Sequence, residues 1–321
     1  MRTYITRRLL QVIPVFIGIV FILFFILEQA PGGPLAMMQD PRVTPEQKEM
    51  LARRLGLDLP FYQKFFNWIV ELLKGNLGYS ITHKQPVLQV IGNFIGPTFI
   101  LAITSLFISV FIGIPVGVLS AVKQHTWIDN VFTILSLIGI SIPSFFFGLM
   151  LLKSFAIDMP LFPLFGFQNP MLRNADFMTR FFDKARHLVL PSMVLGLGSA
   201  ASFMRYTRSA MLEVIRSDYI RTARAKGVKE SVVIFRHAFR NALIPIVTLL
   251  GFSIPGLVSG AVITENVFGF PGLGKIAMDA VMQRNYPLIL GINAMLSMLT
   301  LVAAILTDIA YAAVDPRIRY D

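Results

Sequence analysis

Six long apolar stretches constrain this chain more than any other feature of its sequence. A helix that crosses the ~30 Å hydrocarbon core of a bilayer needs about 20 mostly apolar residues, and six stretches meet this need. They are Leu9–Leu27, Pro97–Val122, Val131–Ile157, Leu188–Met204, Ala242–Ile263 and Tyr286–Ala313. Transmembrane barrel strands would instead form alternating segments of about ten residues, a pattern that we do not find. The sequence predicts an all-α polytopic membrane protein with six transmembrane helices.

The composition excludes several other classes of protein. Hydrophobic residues make up 55% of the 321 residues, charged residues only 15%, and the mean hydropathy is +0.67, whereas about a quarter of a soluble domain is charged. The chain has no cysteine, which excludes a disulfide framework and a thiolate metal site. The net charge of +11 is explained by basic residues kept in cytoplasmic loops, so we expect no nucleic-acid partner.

The basic residues also predict the orientation. With a cytoplasmic N-terminus, the inside segments hold 15 basic and six acidic residues, and the outside segments hold 13 basic and 11 acidic residues. This asymmetry places both termini in the cytoplasm. The first apolar stretch lacks a small-residue cleavage site, so we expect a permanent helix rather than a secretory signal.

A large extracytoplasmic insert, residues 29–96, follows the first apolar stretch and carries its own helix signals. Residues Thr44–Gln47 form a capping box, and Gly56 can end that helix. A second helix is predicted over Pro60–Lys74, because its apolar residues recur at helical spacing. That stripe consists of Phe61, Phe65, Trp68, Ile69 and Leu72. The insert is interpreted as a helical cap on the membrane surface or as a docking site.

A cytoplasmic loop over residues 205–241 also has helical character. Met211, Ile215 and Tyr219 recur every four residues, which predicts an amphipathic helix. Within SDYIRTARAKG, Ser217 can cap a helix and Gly227 can take the left-handed conformation that closes one. Charges of the right sign stand at both ends of this helix, with Asp218 at its start and with Arg224 and Lys226 at its end.

The string GFPGLGK, over residues 269–275, contains most of a phosphate-binding loop. Such a loop follows a strand and needs Ser or Thr after the lysine to hold magnesium. Here Ile276 follows Lys275, a membrane helix precedes the string, and the predicted topology places it outside the cell. The sequence predicts a tight re-entrant loop or turn at Pro271 and its glycines, not a nucleotide site.

Several collinear blocks of the sequence resemble one family, the inner-membrane permease subunits of ABC importers. That family shares a cytoplasmic loop of pattern Glu-Ala-Ala, three residues, then Gly. The chain has the variant RTARAKG, with Arg221, Thr222, Ala223 and Gly227 at the matching positions. The blocks YITRRLLQVIPV, RLGLDLPFYQKFFNWIVELLKGNLGYS, FRHAFRNALIPIV, VITENVFGFPGLGKIAMDAVMQRNYPLILG and DPRIRY are similar to the dipeptide and oligopeptide branch, in the first of its two permeases.

This resemblance implies a type I permease domain over residues 1–321 of a multi-pass protein of the bacterial or archaeal plasma membrane. It implies peptide import by alternating access with a second, homologous permease, two cytoplasmic ATPases and an extracytoplasmic substrate-binding protein. The chain itself would be no enzyme and would bind no cofactor, since ATP and Mg²⁺ belong to the ATPases. The residues implied in coupling to the ATPases are Asp218, Arg221, Thr222, Ala223, Arg224, Lys226 and Gly227.

Serines within two apolar stretches are hypothesised to line the substrate pathway: Ser141 and Ser144 in the third, and Ser253 and Ser259 in the fifth. The four histidines lack the spacing of metal ligands, and no catalytic motif of a membrane hydrolase is present. The alternative function is ion-coupled secondary transport, which normally uses two internal repeats and ionisable residues at the membrane midplane. The cargo stays open between oligopeptide, dipeptide, nickel chelate, glutathione and sugar.

Overall fold

The structure is a computed structural model that describes residues 2–30, 59–258 and 261–314, and almost all of its regular structure is helical. Its helices are α1 (Arg2–Glu28), α2 (Phe61–Leu73), α3 (Val87–Val122), α4 (Trp127–Ser141), α5 (Ser144–Leu151), α6 (Phe177–Ile215), α7 (Asp218–Ala225), α8 (Glu230–Val232), α9 (Arg240–Val258), α10 (Val262–Val267), α11 (Leu273–Met282) and α12 (Tyr286–Val314). Two π-helical segments, Leu152–Asp158 and Val233–Phe239, continue α5 and join α8 to α9. A short 3₁₀ turn covers Pro170–Leu172, and strands β1 (Tyr79–Ser80) and β2 (Gln85–Pro86) form an antiparallel hairpin.

Four helical segments of the described residues are long and apolar enough to cross a membrane alone: Leu10–Glu28, Val87–Val122, Phe177–Ile215 and Tyr286–Ile309. Two bent pairs meet the same test together, Trp127–Ser141 with Ser144–Asp158 and Glu230–Leu243 with Pro245–Gly251. The described chain therefore has four to six candidate spans. Each of these elements overlaps one of the six predicted apolar stretches, although the second bent pair covers the fifth stretch, Ala242–Ile263, only as far as Gly251.

The third apolar stretch is not one continuous helix. Its halves, α4 and α5, meet at an angle of 102°. Ile142 takes an extended conformation before Pro143, as expected for a residue whose helical conformation is blocked by a following proline ring. The predicted stretch Val131–Ile157 therefore consists of two helical halves, which meet the length and hydropathy test for a span only together.

Helices α3 and α6 pack closely along their length because three glycines, Gly113, Gly117 and Gly196, lie at their contact. A Cβ atom at Gly113 would lie 2.6 Å from the carbonyl oxygen of Ala200, and one at Gly117 would lie 2.6 Å from that of Met204. Any side chain at either position would collide with the α6 backbone. Small residues allow this kind of approach between membrane helices.

The same contacts give the direction of the chain. Moving forward along α3 from Ser105 to Gly117 also moves forward along α6, from Gly196 to Met204. The two helices are therefore parallel, and the α4–α5 pair between them must return the chain from the end of α3 to the start of α6.

Two clusters of buried residues mark the opposite ends of this bundle. The first joins the loop before β1 to α11 and to the starts of α3 and α12; it contains Leu77, Val87, Val90, Ile91, Leu273, Ile276, Ala280, Leu288, Ile289 and Ile292. We call this the α2 end, since Leu72 of α2 packs there. The second joins the ends of α3 and α6 to α7 and α9; it contains Val118, Ala121, Ala210, Met211, Ile220, Val233, Ala238 and Ala242. We call this the α7 end.

The predicted helix over Pro60–Lys74 is confirmed as α2, which packs its aromatic stripe against α1. The rings of Phe61 and Phe65 lie 5.3–5.8 Å from those of Phe21 and Phe24 in edge-to-face contacts. Such aromatic pairs contribute roughly 0.5–1.5 kcal/mol each beyond the area they bury. The predicted capping box at Thr44 and the terminator Gly56 lie outside the described residues.

Candidate functional site

Helix α7, at the α7 end, presents most of the residues that the sequence singled out. Asp218, Arg221, Thr222, Arg224, Lys226 and Gly227 are all exposed. The helix ends in a Schellman motif, in which the N–H of Gly227 donates to the Arg224 carbonyl at 2.9 Å and that of Val228 to the Ala223 carbonyl at 3.3 Å. Gly227 has a φ of +75°, which confirms its predicted left-handed conformation.

Helix α7 is fixed to the bundle by its inner face. Ile220 is fully buried in the α7-end cluster, and Ala223 packs against the same cluster. Ala223 therefore faces the bundle instead of the surface. The predicted stripe is wrong at Tyr219, which is 47% exposed, because a turn at Arg216 and Ser217 separates α6 from α7 and changes the helical phase.

Polar contacts at the two ends of α7 also hold it in place. The prediction that the Ser217 side chain caps α7 is wrong: its hydroxyl donates to the Val214 carbonyl at 2.6 Å instead. Arg224 donates from Nε and Nη2 to the two carboxylate oxygens of Glu230, at 3.1 and 2.7 Å. This pairing raises the pKa of Arg224 above its ordinary value. Arg221 makes a looser ion pair, with its Nη1 3.7 Å from Asp218 Oδ1 and both side chains well exposed. The charges of Arg221 and Lys226 are therefore more available to a partner than that of Arg224.

An ion pair between the buried Asp129 and the partly buried Arg208 stabilises the bundle next to α7, and the sequence analysis did not single it out. Arg208 of α6 donates from Nε and Nη2 to the two carboxylate oxygens of Asp129, at 2.7 and 2.8 Å. The hydroxyl of Ser120 and the backbone N–H of His125 also donate to this carboxylate. The pair joins the start of α4 to the ends of α3 and α6. The ion pair therefore ties α6 to α4 close to the end of α6 at Ile215, just before α7 begins.

At the α2 end, the phosphate-loop-like string already holds an anion that belongs to the chain. The carboxylate of Glu265, on α10, accepts a hydrogen bond at 2.9 Å from the backbone N–H of Lys275, in the first turn of α11. Its other oxygen accepts from the Thr98 hydroxyl at 2.9 Å, and Thr98 in turn accepts from the Leu273 N–H at 2.7 Å. A helix N-terminus favours such a negative charge. The string therefore begins a helix, as a phosphate loop does, but its N–H groups bind Glu265.

The environment of Glu265 has opposing effects on its charge. The residue has no exposed surface, and this burial, the largest effect, raises the pKa of its carboxyl above the ordinary value. The N–H of Lys275, the Thr98 hydroxyl and the N–H of Gly274 each lower that pKa and so favour the carboxylate. The sequence predicted a tight re-entrant loop or turn here, whereas the structure forms two helices around a buried carboxyl group.

A cavity of about 330 Å³ lies between α3, α6, α9 and α10. Its polar lining is supplied by Thr98, Ser109, Ser199, Ser253 and Glu265, and its apolar lining includes Leu101, Leu195 and Phe203. We call it the central cavity. Its size is that of a small-molecule pocket.

The structure describes three of the four serines that the sequence proposed for the pathway, and it separates them. Ser253 lines the central cavity. Ser141 and Ser144 are exposed beside the α4–α5 bend, away from that cavity, and Ser259 lies outside the described residues.

Comparisons with known proteins agree across the whole length of the chain. Residues 113–320 match the family described as binding-protein-dependent transport system inner membrane component, and residues 1–102 match its N-terminal family. The oligopeptide transport system permease protein AppB of Bacillus subtilis is 40% identical over 321 residues, with 100% of both chains covered. The di/tripeptide permease DppB of Pseudomonas aeruginosa is 36% identical, with 100% of this chain and 99% of that protein covered. The glutathione permease GsiC of Salmonella choleraesuis is 34% identical, with 100% of both covered.

A solved structure also shares the fold. The inward-facing MetNI methionine ABC transporter aligns with a TM-score of 0.56 at 19% identity, covering 71% of this chain and 97% of that chain. At this identity the likeness concerns the fold alone. Together with the family matches, it shows that the chain belongs to the family of inner membrane components of binding-protein-dependent transport systems.

Proposed function

We propose that the chain is the permease subunit of an ABC importer that carries peptides into the cell by alternating access. The observation that carries the proposal is α7: an exposed, capped helix whose inner face is packed into the bundle by Ile220. Such an element can transmit a force from a partner to the transmembrane helices. The named relatives supply the cargo class, since AppB, DppB and GsiC are permeases for oligopeptides, for di- and tripeptides and for glutathione.

We propose a topology of six spans with both termini in the cytoplasm of a bacterial or archaeal cell. The alternation of the described helices between the α2 end and the α7 end supports it, and so does the excess of basic residues at the α7 end. The α7 end then faces the cytoplasm and the α2 end faces outward. Residues 1–321 form one permease domain in this proposal, with residues 29–96 as an external insert and 205–241 as the coupling loop.

The proposed assembly contains a second, homologous permease, two cytoplasmic ATPases and an extracytoplasmic binding protein. The ATPases bind ATP and Mg²⁺ and receive α7, with Asp218, Arg221, Thr222, Lys226 and Gly227 at the contact. Ala223 and Arg224 contribute indirectly, because they hold α7 in place. Ala223 packs against the buried cluster, and Arg224 binds Glu230. Peptide passes the central cavity and Ser253, while the apolar residues exposed along α4 face lipid or the second permease.

Gly227→Asp tests this proposal, and the chain offers a matched control. Gly75 ends α2 with the same Schellman motif, has a φ of +81° and, like Gly227, has no atom within 4 Å of the position of a Cβ. Aspartate therefore costs a similar backbone strain at both sites. Only the Gly227 variant adds a side chain and a negative charge beside α7.

The measurement is native mass spectrometry of the tagged complex, purified gently from membranes. We expect the parent and Gly75→Asp to retain one homologous permease and two ATPase copies, and Gly227→Asp to insert into the membrane but lose the ATPases. A stable parent particle without any ATPase would overturn the proposal and favour an ion-coupled carrier. Equal retention of the ATPases by both variants would show that α7 does not contact them.

A further inference from the structure

Glu265 connects three elements that meet at the outer end of the central cavity. It stands on α10, it binds the first turn of α11 through the Lys275 N–H, and it binds α3 through the Thr98 hydroxyl. We propose, on the basis of the importer function above, that Glu265 is a positioning residue that latches these three elements together as the closed outer gate of the substrate pathway.

The loop backbone approaches the Glu265 carboxylate so closely that no side chain fits at two of its glycines. A Cβ atom at Gly272 would collide with the Glu265 carboxyl group, and one at Gly274 would lie 2.9 Å from its Oε2. The two glycines therefore let the loop backbone close over the carboxylate. The glycines of GFPGLGK then serve the approach of an internal anion, as they would serve a phosphate in a phosphate-binding loop.

The latched elements border the cavity, because Phe268 and Phe270 pack in one cluster with the cavity-lining Leu101. Glu265 and Thr98 line its wall, while Phe268, Phe270 and Leu273, in the segment that follows, are at most 3% exposed. Phe270 also packs edge-to-face on Phe167, with ring centroids 5.2 Å apart. These buried apolar residues belong to the α10–α11 segment. Release of that segment from α3 would therefore also separate them from their packing partners.

The latch also lies close in sequence to a helix that lines the cavity. Helix α9 carries Ser253 and Gly256 on the cavity wall, and α10 begins only a few residues later, at Val262. A tilt of α9 during alternating access would therefore pull on Glu265. Hydrogen bonds to a charged group can be exchanged for water as a gate opens, whereas a purely apolar contact offers no such replacement partner.

The absence of cysteine from the sequence allows a direct test of this gate. Ser253→Cys places one thiol on the cavity wall of the assembled complex, reconstituted in proteoliposomes with the α2 end outward. A membrane-impermeant maleimide is added outside without nucleotide, and labelling of this chain is followed by its mass. Labelling after detergent denaturation gives the maximum.

We expect Glu265→Ala and Thr98→Val to raise the initial rate of outside labelling roughly tenfold or more, the change expected from losing a hydrogen bond to a charged group. Glu265→Gln, which keeps one oxygen acceptor, should restore part of the closure. Glu71→Ala is the matched control, because it removes an exposed carboxylate at the same end, bonded to Lys74 and Asn76, and it should leave the rate unchanged.

Thr98→Val keeps the shape of the side chain, so it decides the question even where Glu265→Ala fails to assemble. An unchanged labelling rate in Thr98→Val, with the complex intact, would overturn the latch. A rate increase of the same size in Glu71→Ala would overturn it too, because opening would then not be specific to Glu265. The assay needs no ATP hydrolysis, so a failed latch leaves the importer proposal standing, and a complex that lacks ATPases can still show the latch.

Discussion

Single glycines decide how closely α3 and α6 can approach, and this contact forms the centre of the bundle. Gly113 and Gly117 are spaced by four residues on α3 and face the α6 backbone, the spacing that brings small residues onto one face of a helix. The same helix carries Gly92, which has no atom within 4 Å of the position of a Cβ. The three positions therefore allow one substitution to be compared on one helix.

We expect Gly113→Ala and Gly117→Ala to lower the free energy of unfolding by about 1–3 kcal/mol each, because the added methyl group overpacks the α3–α6 contact. Gly92→Ala should leave that free energy unchanged or raise it by up to about 1 kcal/mol through helix propensity. Unfolding of the detergent-solubilised complex, followed by tryptophan fluorescence, measures the difference. Equal effects at all three positions would show that α3 and α6 do not approach as described.

Two adjacent residues of α7 have different roles, one in anchoring the helix and one on its outer surface. Ile220 has no exposed surface and anchors the helix, while Tyr219 is 47% exposed and has no share in the buried cluster. Ile220→Ala should destabilise the docking of α7 by about 2–5 kcal/mol, the usual cost of deleting a buried aliphatic side chain. Tyr219→Ala should change the outer surface of α7 and leave its docking intact.

Hydrogen exchange measures that docking directly. We expect the backbone amides of α7 to exchange faster in Ile220→Ala and at the parent rate in Tyr219→Ala, because local opening controls the exchange. Comparable acceleration in both variants would mean that α7 is not held by Ile220. Capture of the ATPases, measured in the same samples, should fall in both variants under the proposed function.

Elements with local signals were predictable from the sequence, and elements that depend on distant residues were not. Helix α2 follows from the spacing of Phe61, Phe65 and Trp68, since its partner surface is the neighbouring α1. Helix α11 escaped prediction because its N-terminus is stabilised by Glu265 and Thr98, and Thr98 lies 175 residues before Leu273. The pathway serines show the same limit, because spacing within a helix does not tell which face meets α3 and α6. Of the three pathway serines that the structure describes, Ser253 alone lines the cavity.

For the whole molecule, the bend between α4 and α5 determines how many times the chain crosses the membrane. A 102° bend is compatible with a broken span and with a re-entrant loop. The contacts favour a broken span, because Asp129 of α4 binds Arg208 at the α7 end, whereas Leu151 of α5 packs with Leu101 and Leu190, nearer the start of α6. The pair therefore carries the chain from one end of the bundle towards the other.

Three single-cysteine variants test this crossing, each replacing one exposed basic residue so that the charge change is the same: Lys123→Cys, Arg173→Cys and Lys226→Cys. In intact cells, we expect an impermeant maleimide to label Arg173→Cys alone, because Lys123 and Lys226 lie on the cytoplasmic side of the proposed topology. All three should react in permeabilised cells. Protection of Arg173→Cys together with Lys123→Cys would mean that α4 and α5 return to the side from which they came. Helix α6 would then start on the side where α3 ends and run antiparallel to α3. The glycine contacts show that the two helices are parallel, so that result would contradict the structure.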